Sequence, residues 1–231
     1  MVKERGEAMR LSKLIKSLDY TLLGVVGLIL VMGLFVLQSA TVNASVRYGM
    51  NFVARQAAWA VVGLVAFFCV LTIDYSKFAK YGKLIYTINI LLLLGTLILG
   101  SETKGAQAWI ELGPFKFQPA EVAKTLLILG LAQFLVPRIG KLKTFKELLP
   151  VFIYVAIPLL LILKQPDLGT GLVYVAIMFG MLLVAGASPG LLFLLVGSGI
   201  GLIALAIYGH FAWDWWLPLE DYQINRLIVF I

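Results

Sequence analysis

An all-α, polytopic bundle of about seven membrane-spanning helices is the fold class that this sequence predicts, on three observations. Of its 231 residues, 61% are hydrophobic and 13% charged, with a mean hydropathy of +0.97. An average soluble domain is roughly 45–50% apolar and about 25% charged. The apolar residues gather in seven runs, each near the roughly 17–25 residues that a helix needs to cross about 30 Å of hydrocarbon. The basic residues gather in alternate connections between those runs, as expected of a multi-pass chain.

In order, the runs are Tyr20–Gln38, Phe52–Ile73, Leu84–Leu99, Pro119–Val136, Leu149–Leu163, Leu168–Ala185 and Leu191–Tyr208. The first follows a basic segment, residues 1–19, but it is longer than the roughly 7–15 residue core of a signal peptide, so it reads as a retained helix. Cys69 stands alone inside the second run, so no intramolecular disulfide can form. Pro119 opens the fourth run at a position where its missing N–H is not needed. The fifth is short and carries Pro158, which predicts a kink eased by neighbouring helices. Asp167 immediately precedes the sixth run and lies three residues before Thr170, the position of an N-cap, while Gly169 and Gly171 permit close helix packing. No internal repeat, low-complexity tract or soluble domain interrupts the series, so residues 1–231 read as a single transmembrane domain. The last residues, "RLIVFI", carry no polar tail, and the expectation is a C-terminally incomplete chain.

With the N-terminus cytoplasmic, twelve of the nineteen lysines and arginines fall inside: Lys3, Arg5, Arg10, Lys13 and Lys16, then Lys77, Lys80 and Lys83, then Arg138, Lys141, Lys143 and Lys146. This bias makes residues 100–118 an external loop and residues 209–231 the start of a large external loop. The net charge of +7 carries no basic stripe interleaved with aromatics on a soluble domain, which excludes nucleic acid as a partner. No His/Cys cluster has metal-ligand spacing and no dinucleotide fingerprint is present, so neither a metal nor a cofactor is evident.

Ionisable groups at membrane depth mark sites or pathways. In "FQPAEVAK", Glu121 falls in the first helical turn, favoured by the positive end of the helix dipole. Lys124 lies three residues on, on the same face. The pair reads either as an ordinary helix start with an intrahelical ion pair or as two walls of a polar cavity facing a charged ligand. The preceding loop mixes Trp109, Ile110, Phe115 and Phe117 with Lys104, Glu111 and Lys116. It is either an interfacial aromatic belt or the lining of a lipid-substrate groove. His210, beside Trp213, Trp215 and Trp216, reads as interfacial. These residues define an outward-facing polar site around Glu121, Lys124 and Asp167, without choosing between an enzyme and a transporter.

At "KGAQAWIELGPFKFQPAEVAK", with "IDY" at Ile73–Tyr75, "RQ" at Arg55 and Gln56, "KQPDLGTGLV" and "DYQINR" at Asp221–Arg226, the chain resembles the shape, elongation, division and sporulation family of RodA, FtsW and SpoVE. The "KGAQAW" form is most similar to RodA. The resemblance implies the N-terminal part of a ten-helix fold in the bacterial inner membrane. It implies a glycosyltransferase that polymerises lipid II with inversion, working beside membrane lipids and a single-span class B penicillin-binding protein. Glu121 and Lys124 match the family's acidic and basic pair, as catalytic or supporting groups of an external cavity. Lys104, Trp109, Gln118 and Asp167 are implied to be substrate-binding, and a divalent cation is compatible with the family. The family's general-base aspartate falls beyond Ile231. Ala120 stands where the family usually has serine, and Ala108 where it usually has arginine. A flippase for the lipid-linked precursor, or a non-catalytic scaffold for the penicillin-binding protein, are the competing functions.

Overall fold

The computed structural model describes residues 18–48, 51–73, 78, 80–103, 106–112, 115–213 and 215. The basic segment up to residue 17, the "DYQINR" stretch and Lys104 lie outside the described residues. The chain forms two compact units, Met1–Lys77 and Phe78–Ile231.

In the first unit, helices α1 (Tyr20–Tyr48) and α2 (Phe52–Leu71) pack together. Asp19 caps α1, its Oδ1 accepting from the N–H groups of Thr21 (2.9 Å) and Leu22 (3.0 Å). The helix runs ten residues past the expected Gln38, because "SATVNASVRY" turns polar without a proline or glycine to stop it. Polarity ends the apolar run; it does not end the backbone ladder. Asn51 caps α2 by accepting from Ala54 N–H at 2.9 Å.

The second unit comprises α3 (Gly82–Leu99), strands β1 (Ser101–Thr103), β2 (Ala106–Leu112) and β3 (Phe115–Phe117), α4 (Pro119–Leu135, continued by a 3-10 turn to Arg138), α5 (Phe145–Leu163), α6 (Leu168–Val184) and α7 (Pro189–Trp213). The seven expected runs thus correspond to seven helices, and the chain is all-α through its apolar spans. Six have the length and composition to cross a bilayer. At 17 residues, α6 sits at the short end of the spanning range. Between α3 and α4 the chain adds what helical periodicity does not predict, an antiparallel sheet in the order β1-β2-β3. Ile110 pairs with Phe117, Glu111 with Lys116 and Leu112 with Phe115. The alternation of "FKF" and the β-branched and aromatic content of "AWIEL" suit a pleated, half-buried surface. Helix α5 begins four residues before the expected Leu149 because Thr144 and Glu147 form a capping box, which extends the helix into polar sequence.

Helix α4 is the central element. Ala120, Ala123, Leu127, Leu131 and Leu135 recur every three or four residues and are all buried, packing against α3, α5 and α6. Small residues let the backbones approach: a Cβ on Gly130 would lie 2.7 Å from the Tyr154 hydroxyl of α5. On α6, a Cβ on Gly171 would press on Leu163 and Leu159 at 3.3 and 3.4 Å, whereas one on Gly169 would meet only Asp167 Oδ1 at 3.7 Å. Of the two glycines expected to permit close packing, Gly171 is therefore the one at a close helix contact.

Pro158 is accommodated within α5 by a bond from another helix. Lacking an N–H, it leaves the carbonyl of Tyr154 without its helical donor. The Tyr86 hydroxyl of α3 donates to that carbonyl at 2.9 Å. Tyr86 also lies against the Tyr154 ring, which stacks on Phe134 of α4. Two more side chains hold α3 in place: Asn89 Nδ2 donates to Ala123 O at 3.2 Å, and Gln165 Nε2 to Leu93 O at 3.1 Å.

Candidate functional site

Antiparallel connectivity brings four helix ends together: the C-termini of α3 and α5 and the N-termini of α4 and α6. The small sheet connects α3 to α4 at this end, with β2 packed on both helices. Ala108 of β2 is fully buried and Trp109 half-buried, and the Ser101 hydroxyl donates to Trp109 O at 3.1 Å. Ala108 and Ala120 are both fully buried, so neither position offers a polar group to the surface.

Asp167 is the hub of this end. Its Oδ1 accepts from Thr170 N–H at 3.0 Å, which is the expected cap of α6. Its Oδ2 accepts from the Thr170 hydroxyl at 2.7 Å and from Gln118 Nε2 at 3.1 Å. Gln118 sits at the N-cap position of α4 but makes no side-chain cap there; its amide is turned to α6 instead. One carboxylate therefore closes the start of α6 and ties it to the start of α4.

Glu121 and Lys124 form the ion pair that their spacing predicts, with Lys124 Nζ 2.8 Å from each carboxylate oxygen. Their exposures differ: the lysine side chain is 22% exposed and the glutamate 57%. At about 100° per residue, Lys124 lies roughly 40° from the buried Ala120 direction and Glu121 roughly 100° away. Lys124 is thus at the rim of the packed face and Glu121 beyond it.

The structure brings Gln118 and Asp167 into contact, joins Glu121 to Lys124, and leaves Trp109 at the same end on β2. The polar groups beneath them were not expected from the sequence. Asn89, Thr96 and Gln165 are fully buried among apolar helices, and Thr170 is buried beside Asp167. Asn89 Oδ1, Gln165 Oε1 and Tyr174 Oη are buried without a hydrogen bond of good geometry, the Tyr174 hydroxyl lying beside the Asn89 side chain. The signal was an asparagine inside "INILLLL" and a tyrosine inside "GLVYVAIM", single polar groups that composition averages away. Among the described residues, no three His, Cys, Asp or Glu side chains converge as a metal site. His210 Nδ1 lies 2.8 Å from Trp215 O, within the ring contacts of Tyr208, Trp213 and Trp215.

A multi-pass helical bundle with paired charges and a capped helix junction at one end defines a class of integral membrane proteins with a polar site at the bilayer surface. The particular family follows from comparison: residues 19–231 match the FtsW/RodA/SpoVE cell cycle protein family, and the chain belongs to it. It is 37% identical over 221 residues to the probable peptidoglycan glycosyltransferase FtsW of Halorhodospira halophila, covering 92% of this chain and 55% of the relative. To the peptidoglycan glycosyltransferase RodA of Treponema pallidum it is 34% identical over 182 residues, covering 79% of this chain and 42% of the relative. Among solved structures, it aligns with a peptidoglycan synthase complex that coordinates polymerization and crosslinking, at a TM-score of 0.70 and 29% identity, covering 92% of this chain and 59% of the other. The chain spans about half the length of the curated relatives it matches.

Proposed function

We propose that this chain supplies the outward-facing membrane portion of a peptidoglycan glycosyltransferase that polymerises lipid II in the bacterial inner membrane, with its N-terminus cytoplasmic. One observation carries the reading: the Glu121–Lys124 pair and the Asp167 hub occupy the same end of a bundle whose relatives are named for that activity. Attack of a sugar hydroxyl on the anomeric carbon of a lipid-linked donor expels a pyrophosphate, whose growing negative charge calls for an oriented cation. Lys124 is that cation, held at the rim by Glu121. Gln118 and Asp167 brace the ends of α4 and α6 on either side, and Trp109 contributes apolar surface on β2. The attacking hydroxyl also needs a base. Glu121 is engaged by Lys124 and Asp167 by three donors, which favours a base other than these two carboxylates. A class B penicillin-binding protein is the proposed partner, supported by the similarity to a synthase complex that couples polymerization to crosslinking.

The test is glycan polymerisation from purified lipid II by full-length variants of wild-type melting temperature. Lys124→Ala is expected to lower the rate about 100–1000-fold, the effect of losing one oriented electrostatic group, with Glu121→Gln less severe. The charge swap Glu121→Lys with Lys124→Glu should not rescue, because a substrate reads the position of each charge. Near-wild-type rates in both single variants, or recovery in the swap, would reduce the pair to helix-start stabilisation worth roughly 0.2–0.5 kcal/mol.

A further inference from the structure

At the opposite end of the bundle from Glu121, α4 and α6 border an apolar groove of about 270 Å³ lined by Ala132, Leu135, Val136, Ile139, Met181 and Val184, with Gly180 in its wall. That is nearly twice the roughly 150 Å³ of an apolar cavity known to hold benzene. An apolar lining of this size suits a length of acyl chain.

The rim of the groove is basic. The carbonyl of Leu142, itself buried, accepts from Ser188 N–H at 3.1 Å, which fixes the α4–α5 loop against the α6–α7 turn. This places Lys143 Nζ 3.3 Å from the carbonyl of Gly186, next to the groove residue Ala185. Lys141 and Lys146, within three residues of Lys143 in sequence, are exposed. Within this unit, the one carboxylate among the described residues at this end, Glu147, is turned to the N–H groups of Lys143 and Thr144, both at 2.8 Å. Arg138 faces elsewhere, stacked 3.8 Å over the Phe134 ring. From this juxtaposition of an acyl-sized groove with three lysines at the membrane boundary, we infer that the chain holds an anionic phospholipid here, one acyl chain between α4 and α6 and its phosphate on Lys141, Lys143 and Lys146. The inference is independent of the proposed catalytic reading.

Native mass spectrometry of the full chain in detergent, titrated with equal amounts of dioleoyl phosphatidylglycerol and dioleoyl phosphatidylcholine, tests it. One phosphatidylglycerol should be retained preferentially, by roughly fivefold for each lysine engaged. The preference should vanish in Lys141→Ala/Lys143→Ala/Lys146→Ala. If that variant misfolds, Lys141→Ala/Lys146→Ala should still lose most of the preference, since neither side chain makes a hydrogen bond among the described residues. Gly180→Leu should abolish retention of both lipids, because a Cβ there meets nothing within 4 Å and its side chain can enter the groove. Gly95→Leu, equally unobstructed on α3, should leave retention unchanged. Equal retention of the two lipids by the parent chain, a preference that survives removal of the lysines, or a Gly180→Leu variant that behaves like Gly95→Leu would each overturn the proposal.

Discussion

Replacing Asp167 separates what this carboxylate does for the fold from what its charge does for a ligand. The side chain accepts one backbone and two side-chain hydrogen bonds. Asp167→Ala loses an N-cap worth about 0.5–2 kcal/mol and leaves the Thr170 hydroxyl and Gln118 amide without their acceptor, at about 1 kcal/mol each for this half-buried site. A total near 2.5–4 kcal/mol is expected, which for a chain of this size lowers the melting temperature by roughly 5–16 °C. Asp167→Asn is different. Its Oδ1 can still accept from Thr170 N–H, the Thr170 hydroxyl can rotate to accept from the new amide, and a flip of the Gln118 amide removes the clash of two donors. The cost should stay below about 1 kcal/mol.

The assay is thermal unfolding in detergent of the wild type, Asp167→Asn, and the cycle Gln118→Ala, Asp167→Ala and the double variant. Contacting residues in a shared network typically show coupling of 0.5–3 kcal/mol, and about 1 kcal/mol is expected here. Additive single effects would show that the 3.1 Å contact contributes nothing. An Asp167→Asn protein as unstable as Asp167→Ala would show that the negative charge itself holds the junction, and the hydrogen-bond account would fail.

Three further outcomes are expected. Gly130→Ala should destabilise by about 1–3 kcal/mol despite the better helix propensity of alanine, because its Cβ would meet the hydroxyl of a Tyr154 ring wedged between Tyr86 and Phe134; Gly82→Ala, which crowds only the movable Gln133 side chain, should cost less, and thermal melts of the two variants decide the order. Tyr86→Phe should cost about 1–3 kcal/mol by leaving the Tyr154 carbonyl without a donor, so a melting temperature equal to wild type would refute the account of Pro158. In intact cells with outer barriers opened, Glu111→Cys should react with a membrane-impermeant thiol reagent and Lys143→Cys should not, and the reverse pattern would invert the orientation.

Helix placement was readable because lipid demands long apolar runs, and Leu84–Leu99, Pro119–Val136 and Leu168–Ala185 each fall within two residues of a helix end. Errors arose where the helix outlasts the apolar run, as at Tyr48 and Phe145. There caps and the absence of breakers, rather than hydropathy, set the boundary. The sheet over residues 101–117 was missed because its strands are shorter than the window in which alternation becomes visible beside helical signals. Within the site, spacing alone gave the Glu121–Lys124 pair and the Asp167 cap, both contacts between near neighbours. The Gln118–Asp167 bond joins residues 49 apart, and the Asn89, Gln165 and Tyr86 bonds join residues 34 to 72 apart. Such pairings depend on tertiary packing that no local pattern encodes.

The position of each charged group around α4 decides which substitutions can inform on function. Residues 120, 123, 127 and 131 share a stripe that is buried on three neighbouring helices, so the helix cannot rotate without breaking its core. That stripe fixes the direction of Lys124 at its rim, and Glu121 then adjusts the last few ångströms of the ammonium. Neither side chain belongs to the packed face, so exchanging them perturbs little that the core needs. Gln118 and Asp167, by contrast, join two helix ends, and changes there move the backbone that carries Lys124. An activity loss at Asp167 therefore mixes geometry with chemistry, whereas a loss at Lys124 at unchanged melting temperature isolates the charge. A ligand that needs only net positive charge would accept lysine at position 121 instead. One that needs the cation at the rim of α4 would not.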